Sequence, residues 1–283
     1  MSSHPLSRPG VTGAEVRAAA RSGALTSPTA GLAPGYAQAN LVLLPAPLAP
    51  AFRAFCAANP QACPLLEESA PGSFALPRTC GAAGNPAADV RTDAPRYRVW
   101  RGGAPAEELA TLLGAPALAE GGGGGAWVAF ALGCSFSFEE ALAGAGVGVR
   151  HVDLGRNVPM YRTNRPTCPV GPFKGPLVVS MRPMPLAAAA AAGALTAAFP
   201  RVHGAPVQVG LPEALGILDL ARPDCGDAVP LREGEVPGFH ACGVTAALAA
   251  AAGAPLCITH APGHMLVLDL LNEALRGAGE GPV

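Results

Sequence analysis

Lysine is almost missing from this sequence: Lys174 is the only one in 283 residues, and charged side chains make up just 14%. Basic and acidic residues nearly cancel, for a formal net charge of −1. A chain so balanced carries no electrostatic footprint for a nucleic-acid backbone. Aromatics are scarce as well, at 5%. No CxxC pair occurs among the eight cysteines (56, 63, 80, 134, 168, 225, 242, 257), which argues against a zinc ribbon or a disulfide scaffold. In a chain of this length they read as reduced thiols of a cytoplasmic protein, most of them packed as small hydrophobes. The basic, apolar and cleavable segments of a signal peptide are lacking at the N-terminus. No run reaches the roughly 18 to 20 strongly apolar residues of a membrane span. The nearest, 186–199, is mostly alanine between Pro185 and Pro200 and predicts a helix.

What the sequence has instead is arginine, and it is concentrated. Arg156, Arg162, Arg165 and Arg182 fall within RNVPMYRTNRPTCPVGPFKGPLVVSMRP (156–183), with Asn157, Tyr161, Thr163 and Asn164 among them. Guanidinium groups grip carboxylates through paired hydrogen bonds that an ammonium cannot reproduce. Set among prolines, glycines and hydrophobes, they predict an anion site in a semi-buried cleft. Arg156, Tyr161, Arg162, Asn164 and Arg182 are its candidate substrate contacts. A solvated loop whose arginines pair with nearby acids is the plain alternative.

Element by element, Thr12 and Glu15 form a capping box that opens a helix closing near Gly23. A short apolar strand is expected at 41–44, and a helix at 49–58 stopping at Asn59-Pro60. Residues 97–101 alternate as a strand before the Gly102-Gly103 turn, and 107–113 reads as helical. The glycine run 121–125 reads as a surface loop. An unbroken apolar strand is predicted at 127–132. Ser137 and Glu140 suggest a second capping box, opening a helix to about residue 145. Further strands are expected at 147–152, 176–181, 206–209, 256–259 and 265–270, and helices at 211–220 and 244–252. No internal repeat is evident.

Several side chains are candidates for chemistry. His260 and His264 flank Ala-Pro-Gly, a turn joining two strands, where both rings could face one cleft as base or metal ligands. His203 stands near a strand entrance as a further contact. His4 and His151 read as incidental. Cys134 precedes a helix start, where the dipole favours a thiolate, yet GCSFS lacks the G-x-S-x-G pattern and simple packing is the favoured reading. Glu139 lies in the same first turn and is an alternative base.

The segments GYAQANLVLLP (35–45), DVRTDAPRYRV (89–99), LGCSFSFEEAL (132–142), GRNVPMYRTN (155–164), GPLVVSMRPM (175–184), FPRVHGAPV (199–207), ARPDCGDAV (221–229) and ITHAPGHMLVLDL (258–270) together resemble the D-glutamate cyclase family. Its bacterial members carry the name hydro-lyase. The resemblance spans nearly the whole chain. It departs at His240, in FHACGVT, where a tryptophan is expected. It implies an α/β main domain, placed at 1–95 plus 173–283, with a smaller inserted α+β domain at 96–172. It also implies lyase chemistry: some relatives dehydrate D-glutamate to 5-oxo-D-proline with a divalent metal, Mn²⁺ by analogy, for which His260 and His264 are the candidate ligands. The expected partners are a small carboxylate or amino-acid substrate and a second copy of the chain in a homo-oligomer, without nucleic acid or membrane. A non-catalytic carboxylate-binding protein and a metal-dependent lactam or amide hydrolase are the rival readings.

Overall fold

Strands dominate the core because β-branched and aromatic residues alternate or run unbroken where the chain is buried on both faces. The computed structural model describes residues 4–81, 88–121 and 126–277. In chain order these give α1 (Gly13–Arg21), β1 (Tyr36–Pro45), α2 (Ala49–Ala58), β2 (Leu65–Glu68), β3 (Tyr97–Arg101), β4 (Ala104–Leu109), α3 (Pro116–Gly121), β5 (Trp127–Gly133) and α4 (Phe136–Gly144). They continue with α5 (Arg150–Asp153), β6 (Met160–Pro166), β7 (Pro176–Pro185), α6 (Ala189–Ala197), β8 (Gln208–Val209), β9 (Glu235–Ala241), α7 (Val244–Gly253), β10 (Leu256–His260) and β11 (Leu266–Leu271). The fold is mixed α/β, with two separate sheets.

The larger sheet has seven strands in the order β2-β5-β1-β10-β3-β4, and β11 also lies on β1. The smaller runs β6-β7-β9-β8. Strands β3, β4 and β5, all within 96–172, share the larger sheet with β1, β10 and β11; β6 of the same segment begins the smaller one. Both β10 and β11 pair antiparallel with β1, at Val42↔Thr259 and Ala39↔Leu266. Ala39 also pairs with Gly133 of β5 on its other edge. The histidine turn is therefore an excursion between two collinear strands rather than a hairpin.

The two sheets contain a duplication that the sequence hides. β1 and the 3₁₀ turn after it are matched in length by β7 and its 3₁₀ turn, and each leads into a helix, α2 of 10 residues and α6 of 9. β5 pairs with β1 from Pro45↔Trp127 to Ala39↔Gly133, and β9 pairs with β7 from Pro185↔Glu235 to Val179↔Ala241. Each partner strand then passes through a cysteine, Cys134 or Cys242, into a helix. Even a side-chain bond recurs: Ser137 Oγ accepts from Gln38 N at 3.1 Å, and Thr245 Oγ1 from Val178 N at 2.9 Å.

That bond corrects the expected capping box, since Ser137 serves the neighbouring strand and α4 begins after Ser135 without a side-chain cap. Two assignments are reversed. Residues 104–109 form a strand because Gly102 and Gly103 both take left-handed φ, folding β4 back on β3. Residues 150–153 form a helix, anchored by the Arg150 fork on Glu235. The helix expected at 211–220 shrinks to a turn at Pro212–Leu215. The glycine run falls almost wholly outside the described residues. The capping box of Thr12 and Glu15 and the helix 49–58 are as expected.

Candidate active site

In β7 the residues alternate between faces. Val179 and Met181 pack with Tyr161, Leu215 and Phe239 on one side. Ser180 and Arg182 point the other way, toward α4. Arg182 is 1% exposed. Its Nε donates to Glu139 Oε1 at 3.0 Å and its Nη2 reaches the same carboxylate. Nη2 also donates to Ser135 Oγ at 2.9 Å, and Nη1 to Ser180 Oγ at 3.0 Å. The guanidinium lies 5.2 Å from the Phe138 ring centre, a cation–π contact. His151 Nε2 stands 3.3 Å from Glu139 Oε1, so this histidine is part of the centre and not incidental. Burial alone would push the Glu139 carboxyl up; the nearby His151 ring, the charge of Arg182 and the hydrogen bonds from Arg182 overrule it and hold it at about 2. Glu139 also lines a cavity of about 370 Å³, together with Gln38, Phe136, Glu140 and Asp153.

The duplication places a second helix start beside the first. Neither α4 nor α7 has a side-chain cap; their first-turn N–H groups instead close on the backbone, Ser137 on Cys134 O and Phe138 on Ser135 O in α4, Thr245 on Cys242 O and Ala246 on Gly243 O in α7. A Cβ built on Gly243, at the start of α7, would lie 2.1 Å from Asn40 Cγ, so only glycine lets the amide approach. Asn40 Nδ2 donates to Gly133 O, at the approach to α4, at 2.8 Å. One buried amide thus spans both helix starts. Cys134 and Cys242 sit in a shared apolar cluster with Val178, Met160 and Met265. Burial pushes both thiols up, Cys242 to about 11, despite donation from the Phe136 and Val244 N–H groups. Both are neutral thiols at pH 7.

His260 joins this centre through Asn40, whose Oδ1 lies 3.2 Å from Nε2, while Nδ1 lies 2.7 Å from Ala261 O. Burial outweighs that carbonyl and lowers its pKa to about 4. His264 is half-buried, with Nδ1 3.0 Å from Pro262 O and Nε2 3.2 Å from Thr26 O. His203 is buried, with Nδ1 2.8 Å from Gln61 O and a pKa lowered by burial to about 4. The remaining candidates stand apart. Arg156 and Arg162 are exposed; Arg156 Nη1 donates to Ala228 O at 2.7 Å, and Arg162 Nε lies 3.9 Å from Asp224 Oδ1. Tyr161 donates to Leu220 O at 2.8 Å, and Asn164 is exposed beside Gly216.

Among the described residues no three of His, Cys, Asp or Glu are grouped to hold a metal ion. The ring nitrogens of His260 and His264 are already occupied by carbonyl and amide oxygens, so they do not fit a divalent ion in this arrangement. Asn40, Ser180 and His151 were missed in the sequence. The two amides Gln38 and Asn40 inside the otherwise apolar β1, and the Ser-x-Arg spacing in β7, were the available signals.

A mixed α/β protein with a buried charge-assisted centre between duplicated halves is the class that fold and site define. The D-glutamate cyclase family model matches residues 128–269. The chain is 54% identical over 268 residues to a Bordetella pertussis protein named "Putative hydro-lyase", covering 93% of this chain and 91% of that one. A Rubrobacter xylanophilus protein of the same name is 56% identical over 257 residues, covering 90% and 95%. One from Methylobacterium radiotolerans is 53% identical over 266 residues, covering 92% of each. The chain belongs to the D-glutamate cyclase family, a family of lyases of the hydro-lyase type. Among the described residues no helix is long and apolar enough to cross a membrane.

Proposed function

We propose that the chain closes D-glutamate, or a related small dicarboxylic amino acid, to its lactam with loss of water. The observation that carries this reading is Asn40, which lies between the starts of α4 and α7, with Arg182 of β7 bonded to Ser135 and Glu139 at the α4 start. Helix N-termini favour anions, and a glutamate has two carboxylates to offer. The ends differ in charge. Arginine donates only, so Ser135 and Ser180, which accept from Arg182, turn their hydroxyl protons onward as donors. This end suits the carboxylate that stays ionised. The α7 end offers the neutral Asn40 amide and suits the carboxyl that must lose oxygen.

In the reaction the amine nitrogen bonds to the side-chain carboxyl carbon. The ammonium gives up two protons, and the departing carboxyl oxygen leaves with both as water, so no net proton is gained or lost. His260 is held neutral by burial; with its Nδ1–H donating to Ala261 O, Nε2, the nitrogen facing Asn40, is the one that can take a proton, and it is the acceptor assigned to this end. The test is incubation of pure protein with D-glutamate, L-glutamate and D-glutamine, with and without Mn²⁺, following product by mass. A product lighter by one water from D-glutamate supports the reading. Binding without turnover, or ring opening of supplied 5-oxoproline as the sole activity, overturns it.

A further inference from the structure

A second cavity, of about 730 Å³, lies between the end of α2 and the segment after α6. Three arginines, Arg53, Arg78 and Arg201, line it against a single acid, Glu68. Two of them are already committed. Arg53 Nη2 is 2.7 Å from Glu68 Oε1, and Arg78 Nε is 3.6 Å from Glu67 Oε1. Arg201 is different: among the described residues no acid pairs with it, and its buried Nη2 meets no hydrogen-bond partner. A buried donor left unmade is costly, and such groups in native proteins call for a reason. Next to it His203 takes a left-handed φ of +84°, a region where histidine is among the commoner non-glycine residues. Its Nδ1 faces Gln61 O and the ring is also turned toward the Gly133 backbone, so this histidine is held by the fold and Arg201 is the group left to a ligand.

The rest of the lining is mostly apolar, including Pro60, Pro64, Leu65, Ala197 and Pro200. One uncommitted guanidinium in an apolar hollow suits a ligand with a single carboxylate and a hydrocarbon body. We infer that this cavity binds a small monocarboxylate with an apolar tail, its carboxylate on Arg201, at a site separate from the Arg182 centre. Gly133 stands between the two sites. It bonds to Asn40 on one side, and on the other a Cβ there would lie 1.9 Å from Arg201 O.

Thermal unfolding of the full chain with hexanoate tests the inference, with hexanol matching the tail alone and inorganic phosphate the charge alone. Hexanoate at about ten times its Kd should raise the midpoint by about 3 °C, with hexanol and phosphate well below it. Arg201→Gln should abolish the shift, and Arg182→Lys should leave it intact, which separates this site from the catalytic reading. Ala197→Trp fills the cavity from an exposed helix end and should also abolish the shift, even where Arg201→Gln folds poorly. An equal response to hexanol, an equal response to phosphate, or a full hexanoate shift in either cavity variant would overturn the inference.

Discussion

Arg182 can only donate, and every group around it is arranged to receive: Glu139, Ser135 and Ser180. A lysine would keep the charge and lose the fork that reaches three acceptors at once. Arg182→Lys is therefore expected to lower kcat/KM on the dehydrated substrate by about 100-fold or more. Arg156→Lys, on the exposed arm of the arginine window, should leave it within about twofold. Steady-state kinetics of both variants make the comparison. His240 shows the opposite situation, a polar ring with neither nitrogen bonded among the described residues. Burial, and then the charge of Arg182, push its pKa well below the usual value. A histidine depressed in the folded state leaves the unfolded chain to bind the proton first. Its contribution is fully present above the unfolded pKa of about 6.5 and is lost as the pH falls toward the folded value. His203 and His260, both at about 4, act in the same window between pH 6.5 and 4. Urea unfolding at several pH values should show stability falling through it. In His240→Phe the fall between pH 6.5 and 5 should be smaller by about 1–2 kcal/mol; an unchanged slope would assign the acid sensitivity elsewhere.

Between the elements, the duplication predicts that equivalent changes have equivalent costs. Ser137→Ala and Thr245→Val each strip the acceptor from a buried strand N–H, Gln38 or Val178. Each should destabilise by about 1–3 kcal/mol in denaturant unfolding, with the two values within about 1 kcal/mol of each other. A large effect at one and none at the other would mean that the match is only geometrical. The same elements mark what was readable beforehand. Helix α2 was legible because proline and apolar spacing bound it on both sides; the strands at 97–101 and 127–133 were legible as short β-rich runs next to glycines. β4 was not, because Glu107 and Glu108 favour helix in isolation, and the strand is imposed by the hairpin and by pairing of Arg98 with Glu108. α5 was not, because Val147, Val149 and Val152 favour a strand while Arg150 is fixed by Glu235 far along the chain. The repeat was invisible for a related reason: register and hydrogen bonds are kept while residues change, as Asn40 stands where the second half has Ser180. Arg182 and Glu139 were both legible as candidates. Their pairing required knowing that β7 turns Arg182 toward α4.

For the molecule as a whole, the proposed reaction requires both helix starts to stay within reach of one substrate, and Gly243 sets how closely α7 approaches Asn40. Its φ is −61°, so alanine is tolerated by the backbone; the obstacle is the Asn40 amide, whose heavy atoms would lie 2.1 to 2.3 Å from a new Cβ. Both partners are buried and neither can swing into solvent, so Gly243→Ala must push α7 away from β1. Overpacking of this kind typically costs about 1–3 kcal/mol. If the proposed reaction uses both ends at once, turnover should drop by about 100-fold, since a displacement of about 1 Å at a positioned group costs that much. Adding Asn40→Ala makes room for the new methyl. The double variant should regain most of the lost stability, measured by denaturant unfolding, and little of the lost activity, because the bridge between the two helix starts and the link to His260 are gone. Recovery of both together would show that Asn40 only fills space and that the two helix starts do not act on one substrate.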